Sequence, residues 1–157
     1  MMHTERGITL VEIMTVIAIA AVLASIAIPS VVGWLPKYRM ISAGDELLST
    51  LQACRIRAVR ENDNVSISFI FGDNSYTAFV DSANIGSRDA GERIVKTGQM
   101  PPGIDLQNDT LGNIVVFNSR GFPTSDGIAP LQGNIVVSNG SQTRTINLTL
   151  AGTSSVQ

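Results

Sequence analysis

The sequence predicts an α+β fold in which a long N-terminal helix packs on an antiparallel β-sheet. Three observations carry this. An unbroken apolar run fills residues 8–28, an amphipathic helical period follows over 38–60, and from Asn64 the period changes from 3.6 to two.

The first element is a membrane span. Ile8 to Ile28 is 21 residues, about 31 Å of helix at 1.5 Å per residue, against a hydrocarbon core of roughly 30 Å. The run is dominated by Ile, Leu, Val and Ala and contains one charge, Glu12. Each Ile, Leu or Val favours insertion by about 0.3–0.6 kcal/mol, and their sum exceeds the cost of one acid near the end of the helix. A core helix would show a polar face, and this run has none. A cleaved secretory signal fits poorly, because the run is too long and no Ala-x-Ala site closes it. The flanking charges, Arg6 before the span and Lys37 and Arg39 after it, do not fix orientation.

Gly33 and Pro36 predict an interruption of the helix over Gly33–Lys37. Helical periodicity resumes from Tyr38 to Arg60. Ala43, Leu47, Leu51, Cys54 and Ala58 form the apolar stripe, flanked by Ile41 and Leu48. Asp45, Glu46, Gln52, Arg57 and Arg60 lie opposite. Strands follow, the first alternating Val65, Ile67, Phe69 and Phe71 with Ser66, Ser68 and Ile70. Gly72-Asp73-Asn74 turns into a second strand over Tyr76–Val80. A polar loop runs from Asp81 to about Gly91. Further strands are expected at 93–97, 104–107, 114–118, 134–138 and 144–150, with Asn139-Gly140 a hairpin turn between the last two. About 129 residues beyond the span make one domain of ordinary size.

Composition narrows the chemistry. The net charge is −2, and the single histidine is His3, ahead of the span. A triad or a His-liganded zinc site in the domain is thereby excluded. The lone Cys54 falls in the apolar stripe and reads as a small core residue. Asp81, Asn84, Asp89 and Glu92 are oxygen ligands in kind, but they lack EF-hand spacing and read as a solvated loop. No phosphate-binding glycine loop or dinucleotide fingerprint is present.

Arg6-Gly7-Ile8-Thr9-Leu10-Val11-Glu12 resembles the processing site of type IV prepilins and type II secretion pseudopilins. In that family a membrane peptidase cuts after the glycine on the cytoplasmic side and methylates the new N-terminal amine. The resemblance implies cleavage between Gly7 and Ile8, N-methylation of Ile8, and a leader of residues 1–7. Most members carry Phe where this chain has Ile8. Pro29 falls where pilins place a helix-bending proline. By resemblance, Glu12 pairs with the terminal amine of a neighbouring subunit during filament assembly, so that two desolvated charges neutralise each other and fix register.

The resemblance further implies a transmembrane helix over 8–28, a periplasmic continuation of that helix over 29–62, and a β-rich pilin-like domain over 63–157. The stretch from Ala53 to Asn62 with Val65, and Val116-Phe117-Asn118-Ser119-Arg120-Gly121, is similar to the helix end and a strand–turn of GspH/FimT pseudopilins. Gly121 is expected to take a positive φ in that turn.

Three roles stay open: a minor pseudopilin in the tip of a type II secretion pseudopilus, a minor pilin of type IV pili, or a FimT-like DNA-uptake receptor. The last uses basic residues near the C-terminus, and here Thr145 to Gln157 carry no charge. Arg55, Arg57 and Arg60 are the remaining basic run. The implied partners are other pilins or pseudopilins, the prepilin peptidase/methyltransferase, an inner-membrane assembly platform and the lipid bilayer. No cofactor, metal or enzymatic activity is implied. The implied location is the bacterial inner membrane, single-pass, with the N-terminus cytoplasmic, the domain periplasmic, and the subunit extractable into a periplasmic filament.

Overall fold

The computed structural model describes residues 8–82, 85–89, 91–108 and 110–156, with the side chains of 29–32 left out. The chain divides into two compact units, one ending at Leu35 and the other running from Pro36 to Gln157. Among the described residues one helix, α1, spans Leu10–Glu61 and is followed by nine strands and a single 3₁₀ turn. The interruption expected over Gly33–Lys37 does not occur, since the helical assignment is continuous there. Missing one backbone donor at Pro36 costs roughly 3 kcal/mol, but stopping would require a second nucleation only a few residues later.

In the first unit the helix is apolar on every side. None of the Leu10–Ile28 window is buried, and its mean hydropathy is 2.5. Its hydroxyls are satisfied within the helix. Thr15 Oγ1 donates to the Val11 carbonyl (2.6 Å) and Ser25 Oγ to that of Val22 (2.7 Å), as a segment without water around it requires.

In the second unit the helix buries one stripe. Ala43, Leu47, Leu51, Cys54 and Ala58 are 0–4% exposed, as the spacing predicts. Against them lie two antiparallel sheets rather than one. The first has the order β3-β2-β1-β5-β6, from Ile94–Gln99, Ser75–Val80, Val65–Ile70, Ile114–Phe117 and Pro123–Thr124. The second has the order β4-β7-β8-β9, from Asp105–Asn108, Gly133–Ser138, Thr143–Leu148 and Ser154–Val156. Helix, Val65, Ile67 and Phe69 of β1, and Leu106, Ile135, Val137, Ile146 and Leu148 of the second sheet share one core. Phe71, expected in the first strand, falls in the 3₁₀ turn Phe71–Asp73 instead, closed by Asn74 in the left-handed conformation (φ 51°).

Two arginines fasten α1 to its surroundings in this unit. Arg144 of β8 donates to the Ile41 carbonyl (2.6 Å) and pairs with Asp45 (2.8 Å). A Cβ at Gly44 would lie 3.1 Å from its Cδ, so glycine admits the side chain. Arg55 donates from Nε to the Gly121 carbonyl (3.2 Å) and from Nη2 to that of Ala151 (3.0 Å). Gly121 has the expected positive φ (79°), and the turn is additionally tight against Val59 and Arg55.

The outer face of the first sheet is also covered. Phe79, Ser66, Val116 and Thr124 lie in one cross-strand row, and all four are buried. Beside them Asp81 is fully buried, its Oδ2 accepting from Ser66 Oγ (2.5 Å) and the Gly86 N–H (2.7 Å). Within the loop expected as solvated from Asp81 to about Gly91, Ile85 and Gly86 are thus pinned, Ile85 being packed on Gly127, and the Asp89 N–H donates to Glu92 (2.9 Å). Burial pushes the Asp81 carboxyl above its ordinary range. The Ser66 and Gly86 hydrogen bonds oppose this, and the charges of Glu92 and Asp89 add to it.

Leu51→Ala, at the centre of the stripe, should destabilise the domain by about 2–5 kcal/mol, read as a lowered urea midpoint. Asp81 holds its proton more tightly folded than unfolded, so its contribution is full below the unfolded carboxylate pKa and is lost as pH rises through the folded one. Asp81→Asn keeps acceptors for Ser66 and Gly86. It should therefore exceed the wild type in thermal stability at pH 7.5, with the gap closing as pH falls into the ordinary carboxylate range; an unchanged gap across that range would contradict the assignment.

Candidate assembly site

Of the residues singled out at the N-terminus, Gly7 lies outside the described residues and Ile8 is 70% exposed. Pro29 lies within α1, and its side chain is outside the described set. Thr9 caps the helix. Its Oγ1 accepts from the Glu12 N–H (3.3 Å), and its carbonyl accepts from the N–H groups of Glu12 (3.1 Å) and Ile13 (3.2 Å). Thr9-Leu10-Val11-Glu12 has the spacing of a capping box, a signal that the span reading alone passes over.

This cap settles where the helix begins and hence where Glu12 sits. An acid in the first turn interacts favourably with the positive end of the helix dipole. The carboxylate itself is exposed and has no hydrogen-bond or ion-pair partner among the described residues. Because Thr15 and Ser25 bond to their own helix, Glu12 is the one polar side chain of the described span beyond the cap that must find a partner elsewhere. An amine at Ile8 would be one turn away.

The basic run on the last turns of α1 does not form a phosphate-binding set. Arg55 is engaged by two turn carbonyls. Arg57 pairs with Glu61 (3.0 Å), which Arg93 also meets, leaving Arg60 exposed. The remaining chemistry is muted. Burial pushes the Cys54 thiol up to about 12, which keeps it protonated and inert at neutral pH. Of the four oxygen-bearing residues in the 81–92 stretch, Asn84 lies outside the described residues. No three acids, cysteines or histidines among the described residues are placed to share a metal.

Comparison with known proteins gives the same picture over nearly the whole chain. Residues 43–153 match the family described as type II transport protein GspH. Residues 2–28 match the prokaryotic N-terminal methylation motif. A pilin-like protein, PilA1 of Thermus thermophilus, is 29% identical over 156 residues, covering 95% of this chain and 96% of its own. Among solved structures, the type IV minor pilin FimU of Pseudomonas aeruginosa aligns with a TM-score of 0.62 at 18% identity, over 77% of this chain and 90% of its own. The minor pseudopilin EpsH from the type II secretion system of Vibrio cholerae aligns at 0.55 and 12% identity, over 74% and 94%. At these identities the two structures show a shared fold, a helix on antiparallel sheets. With a family model matching most of the domain and a methylation motif on the helix that precedes it, the chain belongs to the GspH family of pilin-like proteins.

Proposed function

We propose that this chain is a minor pseudopilin that assembles through its N-terminal helix into the tip of a type II secretion pseudopilus. The role is structural and not catalytic. The observation that carries it is the helix of the first unit: apolar all round, buried nowhere in Leu10–Ile28, and holding in its first turn a Glu12 that has no partner among the described residues. Such a surface is stable in lipid and equally stable against other apolar helices. Only Glu12 distinguishes the two surroundings, because a neighbouring subunit can bring it a cation and lipid tails cannot.

On this reading a prepilin peptidase cuts between Gly7 and Ile8, the new amine is methylated, and the domain from Pro36 faces the periplasm. Before assembly the subunit is single-pass in the inner membrane. The assembly platform then draws it out beside other pseudopilins. The likeness to FimU favours a second reading, a minor pilin of type IV pili, in which the helix and Glu12 act in the same way within a different filament.

Intact-mass measurement of the chain from its native membrane should show loss of residues 1–7 and gain of one methyl group on Ile8. Gly7→Ala should retain the leader. A mature N-terminus in that variant would overturn the cleavage assignment. Glu12→Ala should remain membrane-bound yet lose most crosslinking to its neighbouring subunits. The partners crosslinked by the wild type, secretion or pilus components, decide between the two machines, and undiminished crosslinking by the variant would remove Glu12 from assembly.

A further inference from the structure

Beyond the apolar window, which ends at Ile28, the helix carries from Trp34 an aromatic and basic segment that the function above does not use. Trp34 is 77% exposed, Leu35 43% and Tyr38 70%. Lys37 and Arg39 are exposed as well, and neither has an ion pair or hydrogen bond among the described residues. The other basic side chains facing acids are accounted for by the pairs at Arg57, Arg93, Lys96 and Arg144. Met40 is the first buried side chain of the domain, at 5% exposure. Residues 34–39 therefore belong to neither the apolar window nor the folded core.

Their distance along the helix identifies what they meet. From Leu10 to Trp34 is 24 residue steps, about 36 Å at 1.5 Å per residue. The hydrocarbon core ends after about 30 Å, and the headgroup layers bring the bilayer to about 40–45 Å. A tilt of about 20°, the average for such helices, shortens the reach only to about 34 Å. Trp34 thus falls within the far headgroup layer, where an indole finds an apolar side and a wet side at once. Lys37 and Arg39 come next, long enough to reach phosphates from the water side.

We propose that Trp34 to Arg39 is an interfacial anchor, with Trp34 seated in the outer headgroup layer and Lys37 and Arg39, next along the chain, on anionic phospholipid headgroups. This rests on the reading of the first unit as a membrane span. It adds a lipid contact that holds the unassembled subunit at a fixed depth. The contact must be given up when the subunit leaves the bilayer.

Trp34 is the only tryptophan in the chain, so the fluorescence of the full-length protein reports this position alone. The chain is reconstituted in vesicles of phosphatidylcholine with phosphatidylglycerol, carrying nitroxide quenchers at either a shallow or a deep acyl position, and co-flotation is checked first. The expected result is strong quenching by the shallow label, with weak quenching by the deep label and by aqueous acrylamide. In a K37Q/R39Q double variant, or in phosphatidylcholine alone, shallow quenching should fall and acrylamide quenching rise.

Dominant acrylamide quenching in a co-floating wild-type chain would place Trp34 in water and overturn the anchor while leaving the span intact. Dominant deep quenching would place it in hydrocarbon and overturn the anchor equally. Quenching that ignores both the variant and the anionic lipid would remove Lys37 and Arg39 from it. Failure to float with the vesicles would overturn the span and the anchor together.

Discussion

A single helix that must be solvated in two different ways governs the rest of this protein. From Met40 to Ala58 the helix buries one stripe so completely that its central residues expose nothing. The two sheets from Val65 onward supply the other side of that core. From Leu10 to Ile28 the same helical geometry carries apolar side chains on every face and buries none. At about 25 cal/mol for each Å² of apolar surface removed from water, the second unit satisfies its stripe from within its own chain. The first must draw its solvent from outside. That asymmetry leaves the stripe of the second unit covered by its own chain and the Leu10–Ile28 face exposed on every side. Lipid tails and neighbouring apolar helices are nearly equivalent to such a surface, so moving from one to the other is left to polar groups, which are few and hence specific.

Within the domain the same economy of polar groups appears. Arg55 and Arg144 lie on different elements, yet each joins α1 to a segment distant in sequence, Arg55 to the turns at Gly121 and Ala151 and Arg144 to Ile41 and Asp45. A guanidinium is suited to this because its planar fork can satisfy two acceptors in fixed directions. The glycines at both contacts follow from it. Gly44 leaves room for the stem of Arg144. Gly121 and Gly152 (φ 79° and 76°) bring backbone against Arg55. These two arginines therefore hold the fold, and the basic character of the last helical turns is much weaker than the run Arg55-Ile56-Arg57 suggests.

What could be read beforehand and what could not divides along the range of the interactions. The apolar helix of the N-terminal run, the stripe from Ala43 to Ala58 and the strands β1, β2, β5, β7 and β8 are encoded by periodicity over neighbouring residues, and the structure has these helices and strands at or within a few residues of the expected places. β6 is two residues, Pro123 and Thr124, and β9 is three, Ser154 to Val156, too short for any alternation to be visible. The split into two sheets depends on pairing β4 with β7 and β1 with β5, partners separated by dozens of residues, and local pattern carries no information about that choice. Pro36 misled for a related reason. Its cost is local, whereas the gain from continuing one helix accrues over the many turns on each side. At the N-terminus Gly7, Ile8 and Glu12 were legible as a motif, but the Thr9 cap that fixes the start of the helix shows in the hydrogen bonds.

The charges beyond the span illustrate how one pattern changes meaning with its setting. Counted as a topology signal, Lys37 and Arg39 against Arg6 are adverse to a domain on the outer side, since basic residues favour the cytoplasmic flank. That rule weighs the cost of moving cations across the bilayer during insertion. It does not weigh what holds them once they are across. On the proposed orientation the two side chains emerge, unpaired among the described residues, beside a layer of phosphates, where each basic residue gains about 1 kcal/mol from an anionic surface. Trp34, just before them, adds the preference of an amphipathic ring for the headgroup depth. A peptidase that recognises Gly7 on the cytoplasmic face would relieve the flanking charges of the task of orienting the chain. They are then free to set its depth, and a segment that looks unfavourable for topology is favourable as a tether.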